Sequence, residues 1–319
     1  AAGHTSEIIR IPFKWYPPEK IHDHLLACRL FDLTEANGNT VDMVIGLKFP
    51  AYHVPHPNKR IWILHQFRTA FEMWGSAHCD LSPRPEGRAV RDSIVEIEKR
   101  LLPEARHLFA NSRTVAQRLH TYCGIHANPL YHPPGGAESF RCGSYGDYIY
   151  YPSRLNKWKR QELALEALAL TRQPVRLRFS GLPDNPAFLT HLQTRAKQLG
   201  VSKRVEFLGR VSFDSMVDHY ANARAVLFIP SEEDYGYVTL EAMLSSKAVI
   251  TCKDSGGPTE FIDNEKEGFV CTPDAASIAD ALDHLWQHPH LAKEAGTRAR
   301  QRYHDSNISW KQVVESLLQ

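Results

Sequence analysis

Short apolar runs alternate with amphipathic segments of helical length through the whole second half of the chain. The strand-like runs are 148–151, 175–180, 205–208, 225–229, 248–251 and 269–270. The helical segments that follow them are 160–171, 186–199, 213–221, 237–246, 258–262 and 275–287. Strands that alternate with helices build βαβ units, and strands that are apolar on both faces belong to a parallel sheet covered by helices. The pattern predicts an α/β domain.

The first half of the chain repeats this alternation with less regularity. Its strand candidates are 7–11, 41–46, 61–64 and 108–110, and its helix candidates are 21–33, 89–101 and 114–122. A length of 319 residues is more than one small module needs and suggests two domains. We therefore predict two α/β domains, each with a parallel sheet and helices on both faces.

Helix-breaking residues are densest in the middle of the chain, at Pro133-Pro134-Gly135-Gly136 and then at Gly143 and Gly146. After Gly296 the pattern is helical again, with apolar residues at Trp310 and Val313. We predict an N-terminal domain at 1–134, a linker at 135–146 and a second domain at 147–302. A final helix at 303–319 is predicted to cross back to the first domain.

Charge and composition exclude several classes of protein. The 38 Lys and Arg residues nearly balance the 36 Asp and Glu residues, which argues against a nucleic-acid-binding protein. Six cysteines without Cys-x-x-Cys spacing favour reduced thiols in the cytoplasm. The histidines lack the spacing of a zinc site, so no metal is expected, and we find no apolar stretch long enough to span a bilayer.

The loop after the predicted strand 225–229 is the first candidate site. Gly236 allows the backbone to approach a ligand closely, and a helix is predicted to begin at Tyr237. The amides of Gly236, Tyr237 and Val238 at this helix start form a candidate anion site. Ligands of open α/β sheets bind at the carboxyl ends of strands, where this loop lies.

Two carboxylates flank the same loop. Glu233 lies within it and Glu241 lies in the first turns of the following helix. Carboxylates accept hydrogen bonds and suit the hydroxyls of a sugar or a ribose. A single glutamate here would more often serve only the helix dipole, so the prediction depends on the whole arrangement.

Two cations follow the predicted strand 148–151. Arg154 and Lys159 flank the turn into the next helix, where an arginine fork and a lysine point charge could hold a diphosphate. A basic turn on its own is more often a solvated surface. We expect Lys157 and Arg160 to be solvated.

A glycine-rich segment, Gly256-Gly257-Pro258, follows the predicted strand 248–251. The glycines could admit a ligand or could simply form a tight turn before the next helix. The sequence leaves these two interpretations equally open.

Together these segments resemble the carboxyl-terminal domain of the family-four retaining glycosyltransferases, which have the GT-B fold of two Rossmann-like domains. Glu233 to Glu241 is similar to the Glu-x7-Glu motif of that family, and the similarity continues through Gly256 to Glu260. Ser153-Arg154-Leu155 with Lys159 is similar to its Gly-Arg-Leu…Lys element, with Ser153 in place of glycine.

The resemblance implies a role for each of these positions. Arg154 and Lys159 would hold the diphosphate of a nucleotide-sugar donor, and Glu241 would bind its ribose. Glu233 would bind the donor sugar near its anomeric carbon, and the amides that follow Gly236 would meet phosphate or sugar. The sugar would pass with retention to a glycan, a lipid or a small molecule, with neither metal nor cofactor.

In the N-terminal, acceptor-side domain the resemblance is weaker. His65 follows the predicted strand 61–64 and, by the resemblance, would contact the donor sugar; a structural hydrogen bond is an equally open role. Ser112 precedes a predicted helix, and capping is its expected role. Gly3-His4 and the strand after it resemble the second strand of the family, so its first strand, glycine-rich loop and first helix are expected to be missing from this chain.

Two alternatives stay open at this stage. The protein could be a nucleotide-sugar-binding protein or an inactive, truncated transferase, or it could be a nucleotide-sugar epimerase of the same fold. The oligomeric state is not indicated, and a peripheral membrane contact of a cytoplasmic protein is left open.

Overall fold

The computed structural model describes residues 3–76 and 79–319. The chain forms two compact units, one holding the chain up to His132 together with Ser309–Gln319, and the other holding Pro133–Ile308. Among the described helices, none combines the length and the apolar character that crossing a bilayer requires.

The first unit contains a parallel sheet with helices packed on it. Its helices are α1 (Lys20–Leu30), α2 (Gly87–Leu101) and α3 (Arg113–Cys123). Its strands are β1 (Glu35–Ala36), β2 (Asn39–Thr40), β3 (Val44–Gly46), β4 (Lys59–Ile63), β5 (His107–Ala110) and β6 (Asn128–Pro129). Strands β3 to β6 lie side by side in chain order and all run parallel, whereas β1 and β2 form a separate antiparallel pair.

The strand predicted at 7–11 is wrong, because the structure has no strand there. Ile8 and Ile9 are 86% and 57% exposed, so the apolar run lies outside the core. An apolar run becomes a strand only where it pairs with a neighbouring strand, and the described sheet ends at β3 without including this run.

The second unit is a doubly wound α/β domain. Its strands are β7 (Ile149–Pro152), β8 (Leu177–Ser180), β9 (Val205–Phe207), β10 (Ala225–Leu227), β11 (Ala248–Cys252) and β12 (Gly268–Cys271). Its helices are α4 (Gln161–Leu170), α5 (Pro186–Gln198), α6 (Phe213–Asn222), α7 (Tyr237–Leu244), α8 (Ala275–Gln287) and α9 (Pro289–Asp305).

All six strands of this unit are parallel, in the order β12-β11-β10-β7-β8-β9. Counted within the unit, this is the 3-2-1-4-5-6 order of a Rossmann sheet. The chain moves outward from β7 in one direction and then returns to start again at β10, so β7 and β10 form the topological switch point. The predicted fold class is confirmed.

The core of the second unit explains why its strand-like runs are continuous in apolar residues. Ile149, Leu227 and Ile250, on three adjacent interior strands, are completely buried. Helix α4 covers this sheet with Leu165 and Leu168, which are also completely buried and lie one turn apart. Burial on both faces removes the polar alternation that a half-exposed strand would show.

Helix α10 (Trp310–Leu318) belongs to the first unit. Its buried residues Val313 and Leu317 pack with Trp62, Phe109 and Leu130. The observed boundaries of the second unit are at Pro133 and Ile308, so the segment 135–146, expected to be a linker, lies inside that unit.

Backbone hydrogen bonds attach the segment 135–146 to the second unit. The amides of Gly143 and Gly146 donate to the carbonyls of Ala221 and Asn222 at the end of α6, at 2.9 and 3.0 Å. Glycine at these positions allows the close approach, because an added Cβ would lie within 3 Å of the same residues.

Candidate functional site

Three loops leave the carboxyl edge of the second unit's sheet from neighbouring strands. We call them the switch-point loops: 153–160 after β7, 228–236 after β10, and 253–256 after β11. Because parallel strands end at the same edge, the strand order brings these loops together although they are far apart in sequence. The candidate site residues of this unit lie in these loops, except for Tyr237, Val238 and Glu241, which lie on α7. Gly257 and Pro258 follow the third loop directly.

Backbone hydrogen bonds join the switch-point loops to one another. The donor and acceptor pairs are Ser231 N to Trp158 O at 2.8 Å, Glu232 N to Asp254 O at 3.0 Å, Glu233 N to Ser255 O at 3.0 Å and Gly257 N to Glu233 O at 2.9 Å. The middle loop is therefore held on both sides. These backbone hydrogen bonds fix the positions of the side chains on the middle loop.

Lys159 and Glu233 form an ion pair across two of these loops. Both side chains are mostly buried, with 16% and 24% of their surface exposed. The Lys159 ammonium also lies 5.3 Å from the centre of the Phe228 ring, a cation–π contact. The Asn156 side chain accepts a hydrogen bond from the Lys159 amide at 3.1 Å, which holds the backbone of this turn. The predicted diphosphate cation and the predicted sugar-binding carboxylate are thus in direct contact.

Arg154 lies apart from this pair. Its side chain is 72% exposed and bonds Asp184 at 3.2 Å, and Asn156 also donates to Asp184 at 2.9 Å. An exposed ion pair of this kind contributes at most about 1 kcal/mol. Arg154 can therefore exchange Asp184 for another anion at small cost.

The N-terminus of α7 has the geometry expected of an anion site. Gly236 has a φ of +85°, and a Cβ there would lie 2.7 Å from Cγ of Pro258, so only glycine fits without a shift. Gly236, the N-cap residue of α7, has no side chain with which to cap the helix. The amides of Tyr237 and Val238 therefore lie at the positive end of the helix dipole.

The structure shows what the glycine pair contacts. A Cβ on Gly256, whose φ is +69°, would lie 2.4 Å from the carbonyl oxygen of Glu233, and one on Gly257 would lie 2.6 Å from that of Tyr235. The glycines allow one loop to pack directly on the other. These close contacts favour the tight-turn interpretation of the two glycines.

Glu241 lies on α7 against a tyrosine. Its carboxylate accepts a hydrogen bond from the hydroxyl of Tyr220 on α6 at 2.6 Å. Burial raises the pKa of Glu241, and the Tyr220 hydrogen bond opposes that rise. Tyr220 is completely buried and packs edge-on against Tyr150 of β7, with ring centres 5.0 Å apart. The carboxylate is thus held in one orientation by a rigid aromatic support.

Arg160 is not solvated as expected, because it makes a two-pronged ion pair with Asp254. Its two terminal nitrogens donate to the two carboxylate oxygens at 2.8 and 2.5 Å. Arg160 has a φ of +53°, and its side chain reaches the loop after β11. Lys157, two residues before Lys159, is exposed as expected.

Sequence reasoning missed Tyr220, Arg160 and Asp254. Tyr220 has the helical spacing of an ordinary core residue, and nothing in a single sequence distinguishes it from one. The Arg160–Asp254 pair joins residues 94 apart, which no local pattern reveals.

In the first unit, His65 follows β4 and is partly buried. Its Nδ1 lies 2.7 Å from the carbonyl oxygen of Gln66, so this nitrogen donates and Nε2 is left as the acceptor in the neutral ring. This structural hydrogen bond is compatible with either role raised for His65. A contact with a donor sugar stays a prediction.

A buried carboxyl lies beneath the loop that holds His65. Glu98 of α2 is completely buried and accepts hydrogen bonds from the hydroxyl of Tyr52 at 2.5 Å and from the side chain of Gln66. Burial raises the pKa of Glu98 to about 7, although both hydrogen bonds oppose the rise. Glu98 therefore changes charge near neutral pH while in contact with the residue next to His65.

Ser112 has the capping role expected of it. Its hydroxyl accepts a hydrogen bond from the amide of Val115 at 3.1 Å at the start of α3. Among the described residues, no three His, Cys, Asp or Glu side chains come together in a way that could hold a metal ion.

Comparison with known proteins shows which family the second unit resembles. Residues 144–302 match the family described as glycosyl transferases group 1. The alpha-1,3/1,6-mannosyltransferase ALG2 of Dictyostelium discoideum is 30% identical over 138 residues, which are 43% of this chain and 32% of that protein. The match thus spans about a third of the relative's length.

Solved structures extend the likeness to both units. Sucrose-phosphate synthase of Thermosynechococcus elongatus superimposes with a TM-score of 0.77 at 17% identity, over 96% of this chain and 80% of that one. The Anabaena protein HepE in complex with UDP-glucose superimposes with a TM-score of 0.66 at 20% identity, over 82% and 71%. The resemblance drawn from the sequence is confirmed: the chain has the GT-B fold, and its residues 144–302 match the glycosyl transferases group 1 family.

Proposed function

We propose that this protein is a retaining glycosyltransferase. It would transfer a sugar from a nucleotide-diphosphate-sugar donor to a hydroxyl of a glycan, a lipid or a small molecule. Support comes from the family match of residues 144–302, from a relative named as a mannosyltransferase, and from a structural neighbour solved with UDP-glucose.

One observation carries the proposal. The ion pair of Lys159 with Glu233, the start of α7 after Gly236, and the oriented carboxylate of Glu241 all belong to loops and a helix at the switch point of a Rossmann sheet. This position is where such sheets bind nucleotides. A cation, a helix N-terminus and two carboxylates match the diphosphate and the hydroxyls of a nucleotide sugar.

The cations and amides of the candidate site could stabilise the negative charge that develops during the proposed reaction. The bond between the anomeric carbon and the diphosphate oxygen breaks, and negative charge grows on the leaving diphosphate. The Lys159 ammonium and the α7 amides would stabilise that charge in a partly buried setting, with Arg154 turning from Asp184 to assist. Positive charge from these groups is the reason that we propose transfer without a metal ion.

Retention would follow from attack on the face that the leaving group vacates. The acceptor oxygen would bond to the anomeric carbon there, and its proton would pass to the departing diphosphate oxygen. Such a path needs no strong protein base. Glu233 would accept hydroxyl hydrogen bonds from the donor sugar once Lys159 engages the diphosphate.

The first test is nucleotide binding by calorimetry with UDP, GDP and ADP. Binding of one of them should weaken about 10-fold or more in Lys159→Met and in Glu241→Gln, since hydrogen bonds to charged groups are worth about 1.5–3 kcal/mol. Lys157→Met is the matched control, because that lysine is exposed in the same loop and should leave the affinity unchanged. Unchanged affinity in both site variants would refute the assignment.

The second test is turnover with the sugar donor of the nucleotide that binds. Transfer to added acceptors, with the product's anomeric configuration read by NMR and with EDTA present, tests retention and metal independence together. Tight binding without transfer or hydrolysis would favour a binding protein. Conversion of the donor without any acceptor would favour an epimerase.

A further inference from the structure

A strained residue directly follows Lys159. Arg160 has a φ of +53°, in the left-handed region that non-glycine residues occupy at a cost of about 1–2 kcal/mol. The short turn Lys157–Lys159 ends here and α4 begins at Gln161, so the chain changes direction at this residue. Such backbone strain persists only where surrounding contacts compensate for it. The contacts of the Arg160 side chain can do so.

That side chain connects two switch-point loops. The Arg160 guanidinium donates hydrogen bonds to both carboxylate oxygens of Asp254, at 2.8 and 2.5 Å. The exposed fraction is 21% for the arginine side chain and 36% for the aspartate side chain. Two-pronged arginine–carboxylate pairs fix orientation as well as distance. The pair raises the pKa of Arg160 further, so the guanidinium stays charged across the physiological range.

Asp254 continues the connection through its backbone. Its carbonyl oxygen accepts a hydrogen bond from the amide of Glu232 at 3.0 Å, and the amide of Glu233 donates to Ser255 at 3.0 Å. Arg160 is bonded to Lys159 along the chain, and Glu232 is bonded to Glu233. The Arg160–Asp254 pair thus links the backbones that carry the two members of the Lys159–Glu233 ion pair.

We propose that Arg160 and Asp254 are positioning residues that hold Lys159 at its place opposite Glu233. The role in catalysis rests on the proposed function, whereas the positioning itself does not. The pair sets where the ammonium lies when charge builds on the leaving diphosphate. It touches neither donor nor acceptor and acts through Lys159.

Two variants break the link in different ways. Arg160→Gly removes the side chain and tolerates the left-handed backbone, so the fold should not be strained by the change. Asp254→Asn keeps the size of the partner and removes its charge. Asp147→Asn is the matched control, because it disrupts the exposed pair with Arg176, 3.1 Å long, in the same unit.

The first measurement needs no ligand. Acetic anhydride modifies exposed amines, and mass spectrometry follows Lys159 against Lys157, the exposed lysine in the same turn. We expect labelling of Lys159 to rise at least 3-fold in Arg160→Gly and in Asp254→Asn, with Lys157 unchanged and no change in Asp147→Asn. Labelling of Lys159 that stays at the wild-type rate, or that rises equally at Lys157 through general loosening, would overturn the proposal.

The second measurement links the position of Lys159 to catalysis. In the transfer assay, kcat should fall at least 10-fold in both variants while KM for the donor changes less than 3-fold, because the charge is needed most in the transition state. A fall in the thermal midpoint with unchanged kcat would assign the pair a structural role only. If wild type binds no nucleotide but Lys159 labelling still rises in the variants, the proposed function fails and the positioning stands.

Discussion

Replacing Glu98 with glutamine should make the first unit less sensitive to pH. Between pH 4.5 and 7 the unfolded chain ionises this carboxyl while the folded chain keeps it protonated, because burial raises its pKa from an ordinary value of 4.5 to about 7. The folded state then binds more protons, so the free energy of unfolding falls as pH rises through this window and levels off above it. A neutral glutamine has no such dependence.

The magnitude follows from the shift in pKa. At about 1.4 kcal/mol per pH unit, a rise from 4.5 to about 7 corresponds to roughly 3 kcal/mol. The amide oxygen of glutamine can still accept the Tyr52 hydroxyl, whose bond to Glu98 is 2.5 Å long. Part of this change already occurs below pH 5, so Glu98→Gln should gain about 2.5 kcal/mol relative to wild type between pH 5 and pH 8.

Hydrogen exchange of the most protected amides of α2 measures this gain. The difference between wild type and variant at one pH cancels the intrinsic dependence of exchange on pH. Glu96→Gln, an exposed glutamate on the same helix, is the control and should show a difference near zero at every pH. A Glu98→Gln difference that is the same at pH 5 and pH 8 would refute the buried, protonated carboxyl.

Three further changes test other parts of the structure. Tyr220→Phe removes the hydroxyl 2.6 Å from Glu241, so nucleotide affinity measured by calorimetry should fall about 5- to 10-fold, and more so at low pH, because the pKa of Glu241 rises further without its donor. Gly236→Ala places a Cβ 2.7 Å from Pro258, so nucleotide affinity should fall by at least 10-fold while the far-ultraviolet circular dichroism stays the same. Leu317→Ala, which truncates a 6% exposed residue of α10, should lower the free energy of unfolding of the first unit by about 2–4 kcal/mol in urea titrations.

Each of these three predictions has an outcome that would contradict it. Equal affinities of Tyr220→Phe and wild type at all pH values would mean that Glu241 does not meet the nucleotide. Gly209→Ala, at another positive-φ glycine with open space around it, separates backbone strain from the clash at Gly236. An unfolding midpoint of Leu317→Ala equal to that of Leu318→Ala, whose side chain is 40% exposed, would mean that α10 is not docked.

Several features of the fold could be predicted from the sequence because they depend on neighbours along the chain. The buried strands β7 and β10 show as continuous apolar runs, and the start of α7 shows as Gly236 before a helical pattern. Ser112 could be predicted as a cap because its hydroxyl reaches only three residues along the chain. The same local reasoning failed at residues 7–11, where the apolar run stays exposed and does not join the sheet.

The candidate site could be predicted only in part. Lys159, Glu233 and Glu241 were recognisable from their place after strands and from the motif that they form. Their mutual geometry was not, since Lys159 and Glu233 are 74 residues apart. The expectation that Arg154 and Lys159 act as one clamp is the clearest example: only Lys159 lies with Glu233, while Arg154 lies with Asp184.

By itself the sequence determined the α/β class, the alternation of strands and helices, and which loops carry cations, carboxylates and glycines, because all of these are set within ten or so residues. Only the tertiary structure decided that β7 lies beside β10, that their loops share backbone hydrogen bonds, and that Arg160 reaches Asp254. The physical reason is that strand order depends on which buried surfaces and ladder hydrogen bonds fit together across the whole unit. That long-range choice places Lys159 opposite Glu233 and thereby forms the candidate site.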